Sequence, residues 1–141
     1  AELLGVATRA LDIASAYARE RQQFGRPIGS FQAIKHRLAQ DWIDLDNARL
    51  LLAQAAASTE PATTAETALM ATLAELTVRQ AAGAAVRNAL QVHGAMGMTW
   101  ECDVHFYLKR AHFLCAIMNH RHTDADRLQQ VWQLSADRMA I

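Results

Sequence analysis

From Ala1 to about Gln22, the apolar positions Leu4, Ala7, Leu11, Ala14 and Ala18 recur at steps of three and four, while Arg9, Asp12 and Arg19 fall on other faces. The spacing predicts an amphipathic helix. No Ser, Thr, Asp or Asn stands ahead of it as a cap, so the chain is expected to be a piece of something longer. Gly25, Pro27 and Gly29 end the pattern, because Pro27 pushes Arg26 out of the α region and each Gly weakens helical continuation. Ser30 is then placed to cap a second helix, whose stripe of Phe31, Ile34, Leu38, Trp42, Leu45 and Leu52 runs to about Ser58. A polar break from Thr59 to Thr64, with Glu60-Pro61 inside it, precedes a third helix from about Ala65 to Val92. There Leu69, Leu73, Leu76 and Leu90 are interspersed with small residues such as Ala82, Gly83 and Ala85, which let helices approach closely. Gly94 to Thr99 interrupts the pattern. A fourth helix is expected from about Trp100 to Met118 through Val104, Leu108, Ala111 and Leu114. The last, Thr123 to Met139, carries Leu128, Val131, Trp132 and Met139, with Thr123 as its cap ahead of Asp124 and Asp126.

Composition narrows this to one class. Apolar residues make up 52% of the chain, much of it Ala and Leu, and there are only two Pro, a balance that favours helices over strands. The expected fold is all-α: an up-and-down helical bundle of three long helices plus two shorter C-terminal helices, with residues 1–141 as one domain. A formal net charge of zero leaves no electrostatic footprint for nucleic acid or an anionic membrane. No apolar run approaches the length of a membrane span. Cys102 and Cys115 fall in one helical pattern about 20 Å apart at the α-helical rise, too far to pair, and free thiols suit a reducing cytoplasm.

The side chains that could carry chemistry each have an ordinary explanation. His105 with His112, or His120 with His122, are the obvious metal pairs, but no Glu-x-x-His motif or close Cys/His set accompanies them, so no metal site is expected. Trp42 and Trp132 read as core; Trp100, after the second glycine break, could wall a cleft as readily as a core. Arg21 fits the last turn of the first helix against its dipole, or a phosphate gripped bidentately beside a broken turn. Gln91, His93, Gly94 and Gly97 read as a helix end with left-handed glycines, or as backbone open enough for a ligand to approach.

Together the two breaks say more. Tyr17-Ala18-Arg19-Glu20-Arg21-Gln22-Gln23-Phe24-Gly25, then Pro27-Ile28, Phe31-Gln32 and Leu38-Ala39, followed far downstream by Gln91-Val92-His93-Gly94-Ala95-Met96-Gly97 and Thr99-Trp100-Glu101, resemble the two signatures of the acyl-CoA dehydrogenase C-terminal domain. The resemblance implies a helical bundle from a larger flavoenzyme with FAD at a subunit interface. It places Arg21 and Gln23 at the FAD diphosphate with Phe24 beside them, Phe31 and Gln32 at the flavin, and Gln91, Val92, His93 and Gly94 along the adenosine end. Ala95 stands where many members have a second Gly. The implied partners are an acyl-CoA substrate in the full-length enzyme and further subunits, as a homo- or heterodimer or tetramer.

The family's reaction needs a carboxylate base for the α-proton of the thioester. Counted without a gap from Leu108-Lys109-Arg110-Ala111, the usual Glu position falls on Met118, whose thioether takes no proton. Three placements stay open. The base is upstream of Ala1, or in an active partner subunit as in two-subunit dehydrogenases of bacterial steroid side-chain breakdown, or it is a nearby acid such as Asp124 or Asp126. The expected activity is therefore FAD-dependent α,β-dehydrogenation of acyl-CoA thioesters, with this chain alone inactive. The alternatives are a non-catalytic partner of a heteromeric dehydrogenase and a helical module that serves association only.

Overall fold

Leu3, Leu4, Ala7, Ala10, Leu11, Ala14 and Ala18 form the buried face of α1 (Glu2–Glu20), which packs against each of the other three long helices in the computed structural model of the chain. The structure describes residues 1–57 and 64–118, together with 125–126, 128–129 and 132–133. After α1 come β1 (Gln22–Gln23), β2 (Arg26–Pro27), a 3-10 turn (Ile28–Ser30), α2 (Gln32–Ala57), α3 (Thr64–His93), a second 3-10 turn (Gly94–Met98) and α4 (Val104–Met118). The all-α expectation holds for the long elements. The fifth helix expected from Thr123 to Met139 falls mostly outside the described residues.

The core is built from small side chains. Ala7, Ala10 and Ala14 of α1 face an α3 whose sealed positions are Ala82, Ala85, Val86 and Ala89, while Val104 and Ala111 of α4 close the third side. The leucines expected to line α3 are only half-buried. With alanine between them, helix axes come close enough for backbone-level van der Waals contact, which larger residues would prevent.

Three local expectations change. Between α1 and α2 the chain forms an antiparallel ribbon, Gln22 opposite Pro27 and Gln23 opposite Arg26, rather than an irregular turn. Phe24 at φ 54° and Gly25 at φ 77° make its two-residue tip. Two successive positive φ values match the primed turns whose twist suits a hairpin, at the strain of a left-handed Phe. Ser30 does not cap α2: the chain is still turning there, Phe31 N–H donates to Ile28 C=O at 3.1 Å, and the Ser30 hydroxyl is buried without a hydrogen-bond partner. Finally, α4 starts at Val104, not near Trp100, because Phe106 N–H turns to Asp103 C=O and the His105 Nδ1–H donates to Cys102 C=O at 2.8 Å. Cys102 thus precedes α4 and does not share a helix with Cys115; both are free thiols, half-buried.

On α2 the inward row is Ile34, Leu38, Asp41, Leu45, Ala48 and Leu52, at steps of four and three. Trp42, expected in that row, lies one residue round the helix and is 62% exposed beside Thr8, Leu11 and Asp12 of α1. Asp41 takes the inward place, 2% exposed, and its Oδ1 accepts from Asn88 Nδ2 of α3 at 2.7 Å while Oδ2 has no partner. Burial pushes its carboxyl above the ordinary 3.8, helped by the charge of Asp44, against the Asn88 bond and Arg37.

Two outcomes follow from this packing. A methyl group on Gly29 would meet the carbonyl oxygen of Ala18 at 2.8 Å, backbone against backbone, whereas one on Gly94 would meet nothing within 4 Å but would have to hold φ +61°. Thermal unfolding of the intact protein should show Gly29→Ala costing about 1–3 kcal/mol and Gly94→Ala about 1 kcal/mol; the reverse order would contradict the close approach. For Asp41 the folded value lies above the unfolded one, so its contribution is fully present below pH 3.8 and is lost as pH rises through the raised value. Denaturant unfolding across that window should show wild type losing stability relative to Asp41→Asn, and no difference in slope would refute the shift.

Candidate functional site

The ribbon and the second 3-10 turn meet at one end of the bundle because α1 runs toward that end and α3 finishes there. Tyr17, in the last turn of α1, stacks on His93, the last residue of α3, with ring centroids 4.3 Å apart and planes 23° apart. His93 is buried, and its Nδ1 lies 2.7 Å from Ala89 C=O. A carbonyl can only accept, so in the neutral ring Nδ1 carries the proton and Nε2 is left as an acceptor.

Around this stack lies an open cavity of about 260 Å³ lined by Tyr17, Arg21, Gln23, Ile28 and Val92 to Met96. It joins residues some seventy positions apart. Arg21 and Gln23 come from the first break, exposed and with donors available; Val92 and His93 form a buried wall, and Gly94 presents bare backbone. An exposed guanidinium, a side-chain amide and unobstructed peptide groups suit a polar, anionic ligand segment. Ile28 and the Tyr17 ring give it an apolar flank.

The other residues singled out in the sequence sit around this cavity or apart from it. Gln91 opens on an adjoining groove with Arg87, Leu90 and Met98, which shares Gly94 and Ala95 with the cavity. Phe24, 91% exposed at the ribbon tip, meets Phe31 edge-on at 6.1 Å, and the Arg26 guanidinium lies 4.2 Å over the Phe31 ring. This pair caps the outer side of the ribbon, with Gln32 exposed next to it at the start of α2. Trp100 does not line the corner cavity. It is 78% exposed, in a cluster with His105 and Phe106 over which the Lys109 ammonium sits at 5.5–5.6 Å. Met118 ends α4, half-buried against the core.

Sequence reading left Tyr17, Ile28 and Met96 out of the site. Tyr17 belongs to the first motif, but only its stack on His93 marks it as a wall. Among the described residues no three His, Cys, Asp or Glu side chains converge to hold a metal ion, and no helix is long and apolar enough to cross a membrane. His120, His122 and Asp124 lie outside the described residues; Asp126 is exposed.

Comparison with known proteins places this corner in context. The family model described as acyl-CoA dehydrogenase, C-terminal domain, matches residues 1–116. Acyl-CoA dehydrogenase IpdE2 of Mycobacterium tuberculosis is 40% identical over 134 residues, covering 94% of this chain and 40% of that protein. Among solved structures, a variant of the Tcur3481-Tcur3483 steroid ACAD superposes with a TM-score of 0.87 at 30% identity, over 96% of this chain and 37% of that one. The ChsE4-ChsE5 complex from Mycobacterium tuberculosis gives 0.76 at 32% identity, over 95% and 35%. The chain thus spans about two fifths or less of each protein it matches. A bundle whose two glycine-broken motifs close on one corner, matched by that family model over most of its length, belongs to the acyl-CoA dehydrogenase family as its C-terminal domain.

Proposed function

We propose that residues 1–141 are the C-terminal bundle domain of an FAD-dependent acyl-CoA dehydrogenase, and that the corner cavity receives part of the FAD of an assembled oligomer. What supports this reading is the meeting of the two distant motifs around one opening, with Arg21 and Gln23 on one side and Val92, His93 and Gly94 on the other. The donor set fits a diphosphate: a guanidinium gives two parallel hydrogen bonds, and the Gly94 backbone has no Cβ to hold a ligand off. When bound, FAD would take up the hydride from the β-carbon of an acyl-CoA. This chain's residues would anchor and orient it, with Phe24 and Phe31 packing beside the site and Gln32 and Gln91 at its borders.

The proton acceptor is a separate matter. Met118 occupies the place where the family resemblance puts a Glu, at the end of α4, and its sulfur cannot serve. The base then comes from the first helix upstream of Ala1, from a partner subunit, or from an acid such as Asp124 or Asp126. The second of these is favoured by a particular likeness: the ChsE4-ChsE5 structure is that of a complex of two proteins. In this form of the reading the chain completes another subunit's flavin site without doing the chemistry itself.

The full-length protein, purified with its natural neighbours, is expected to hold FAD and to reduce an electron acceptor with some acyl-CoA. A preparation without flavin or acceptor reduction would end the enzyme reading. Arg21→Ala should weaken FAD binding about tenfold or more, the worth of one charge-assisted hydrogen bond. If the partner supplies the base, Asp126→Asn should leave turnover unchanged while Arg21→Ala still releases flavin from the heteromer.

A further inference from the structure

In the α2–α3 seam the large apolar side chains Ile34, Leu38, Leu45 and Leu52 come from α2. On α3 it presents Thr77, Ala81 and Ala84, and between these and Asp44 and Asn47 of α2 a groove of about 320 Å³ stays open. Leu45 and Ala48 are the fully buried apolar residues of α2. Interdigitating large side chains are what normally set axial register, and the small residues on the α3 side give those of α2 few ridges to lock between. The row Thr77, Ala81, Ala84 continues, at the same steps of four and three, to Asn88. The inward row of α2 likewise passes through Asp41.

There the seam carries a polar pair at an inward position of both helices. Asp41 Oδ1 and Asn88 Nδ2 are 2.7 Å apart across the interface, and Asp41 Oδ2 has no partner. A half-satisfied buried carboxylate costs stability compared with an apolar residue of similar size. It is also directional: a slip of one residue, about 1.5 Å, would break the bond and leave both groups stranded. A buried polar side chain in a heptad-like seam is the best-attested device for fixing register.

From this we infer that Asp41 and Asn88 are the register pin of the α2–α3 seam and so act as a positioning pair for the corner, an inference that rests on the flavin reading above for its functional half. The two residues lie close to that corner along their helices. Asp41 is nine residues past Gln32, the first residue of α2, and Asn88 is five before His93, the last of α3. A slip there moves the Phe31 side of the corner relative to the Gly94 side, a displacement that the Ile28–Ser30 turn resting on α1 and the Tyr17–His93 stack also oppose.

The test uses the full-length protein with its natural neighbours and three forms: wild type, Asp41→Asn, which keeps an amide bond to Asn88, and Asp41→Ala/Asn88→Ala, which removes both polar groups without overfilling the seam. Three quantities are read: the FAD dissociation constant, the melting temperature, and amide exchange in residues 28–40 and 89–98 against the rest of the chain. Asp41→Asn should bind FAD as wild type does. The double variant should bind it about tenfold more weakly, with faster exchange confined to those two segments. If the double variant matches wild type in both flavin affinity and local exchange, the pin is refuted. Equal loss of protection everywhere, tracking the melting temperature, would also refute it by making the pair merely stabilising. If wild type itself holds no flavin, the functional half falls with the flavin reading, while the exchange pattern still decides the register.

Discussion

The structure depends on how thin α1 is. Its inward side chains between Ala7 and Ala18 are mostly alanine, and the buried positions of α3 and α4 are mostly alanine and valine. Helices packed through alanine approach closely and gain dispersion over long stretches of backbone, but they leave little room for error, because one added methylene has no void to enter. α1 is therefore gripped on three sides, and its C-terminal end is held where α3 ends. Tyr17 and His93 are the large rings that fill the space once the alanine seam runs out.

That grip has a functional consequence. The ribbon that follows α1 cannot wander, because the turn after it rests on α1 at Gly29 with backbone against backbone. Ile28 N–H donates to Arg21 C=O at 2.8 Å, closing the base of the ribbon. Arg21 and Gln23 leave a fixed base, while Phe24 stands at an exposed tip held in a left-handed conformation. A rigid base with an exposed, strained tip suits a part that completes a site beyond its own chain, since few of its groups reorganise on docking. The cavity it borders is open.

Against this tight frame, two positions break the apolar pattern with different meaning. Asp41 sits where the seam would accept a hydrocarbon, and its cost is set against the direction its bond to Asn88 gives. Met118 is the opposite case, a hydrocarbon-like side chain at the position where the proposed function looks for a carboxylate. It packs against the core at the end of α4 as any apolar residue would.

The sequence by itself determined that α1 to α4 are helices, because apolar residues repeating near the helical period leave one face to bury whatever the partners are. It also marked both breaks and, through their residue types, the family. The ribbon was not legible, since its tip requires a positive φ at Phe24, which a phenylalanine does not advertise. Nor was the choice between Asp41 and Trp42: neighbours differ by about 100° round a helix, and hydrophobicity favoured the one that the facing alanines leave outside. Tyr17 as a wall, the separation of Gln91 and Trp100 from the corner cavity, and the meeting of Arg21 with Gly94 were decided only by tertiary structure. Local pattern fixes what each segment is. Which ends come together follows from the packing of α1 against α3, a contact between residues that no local spacing relates.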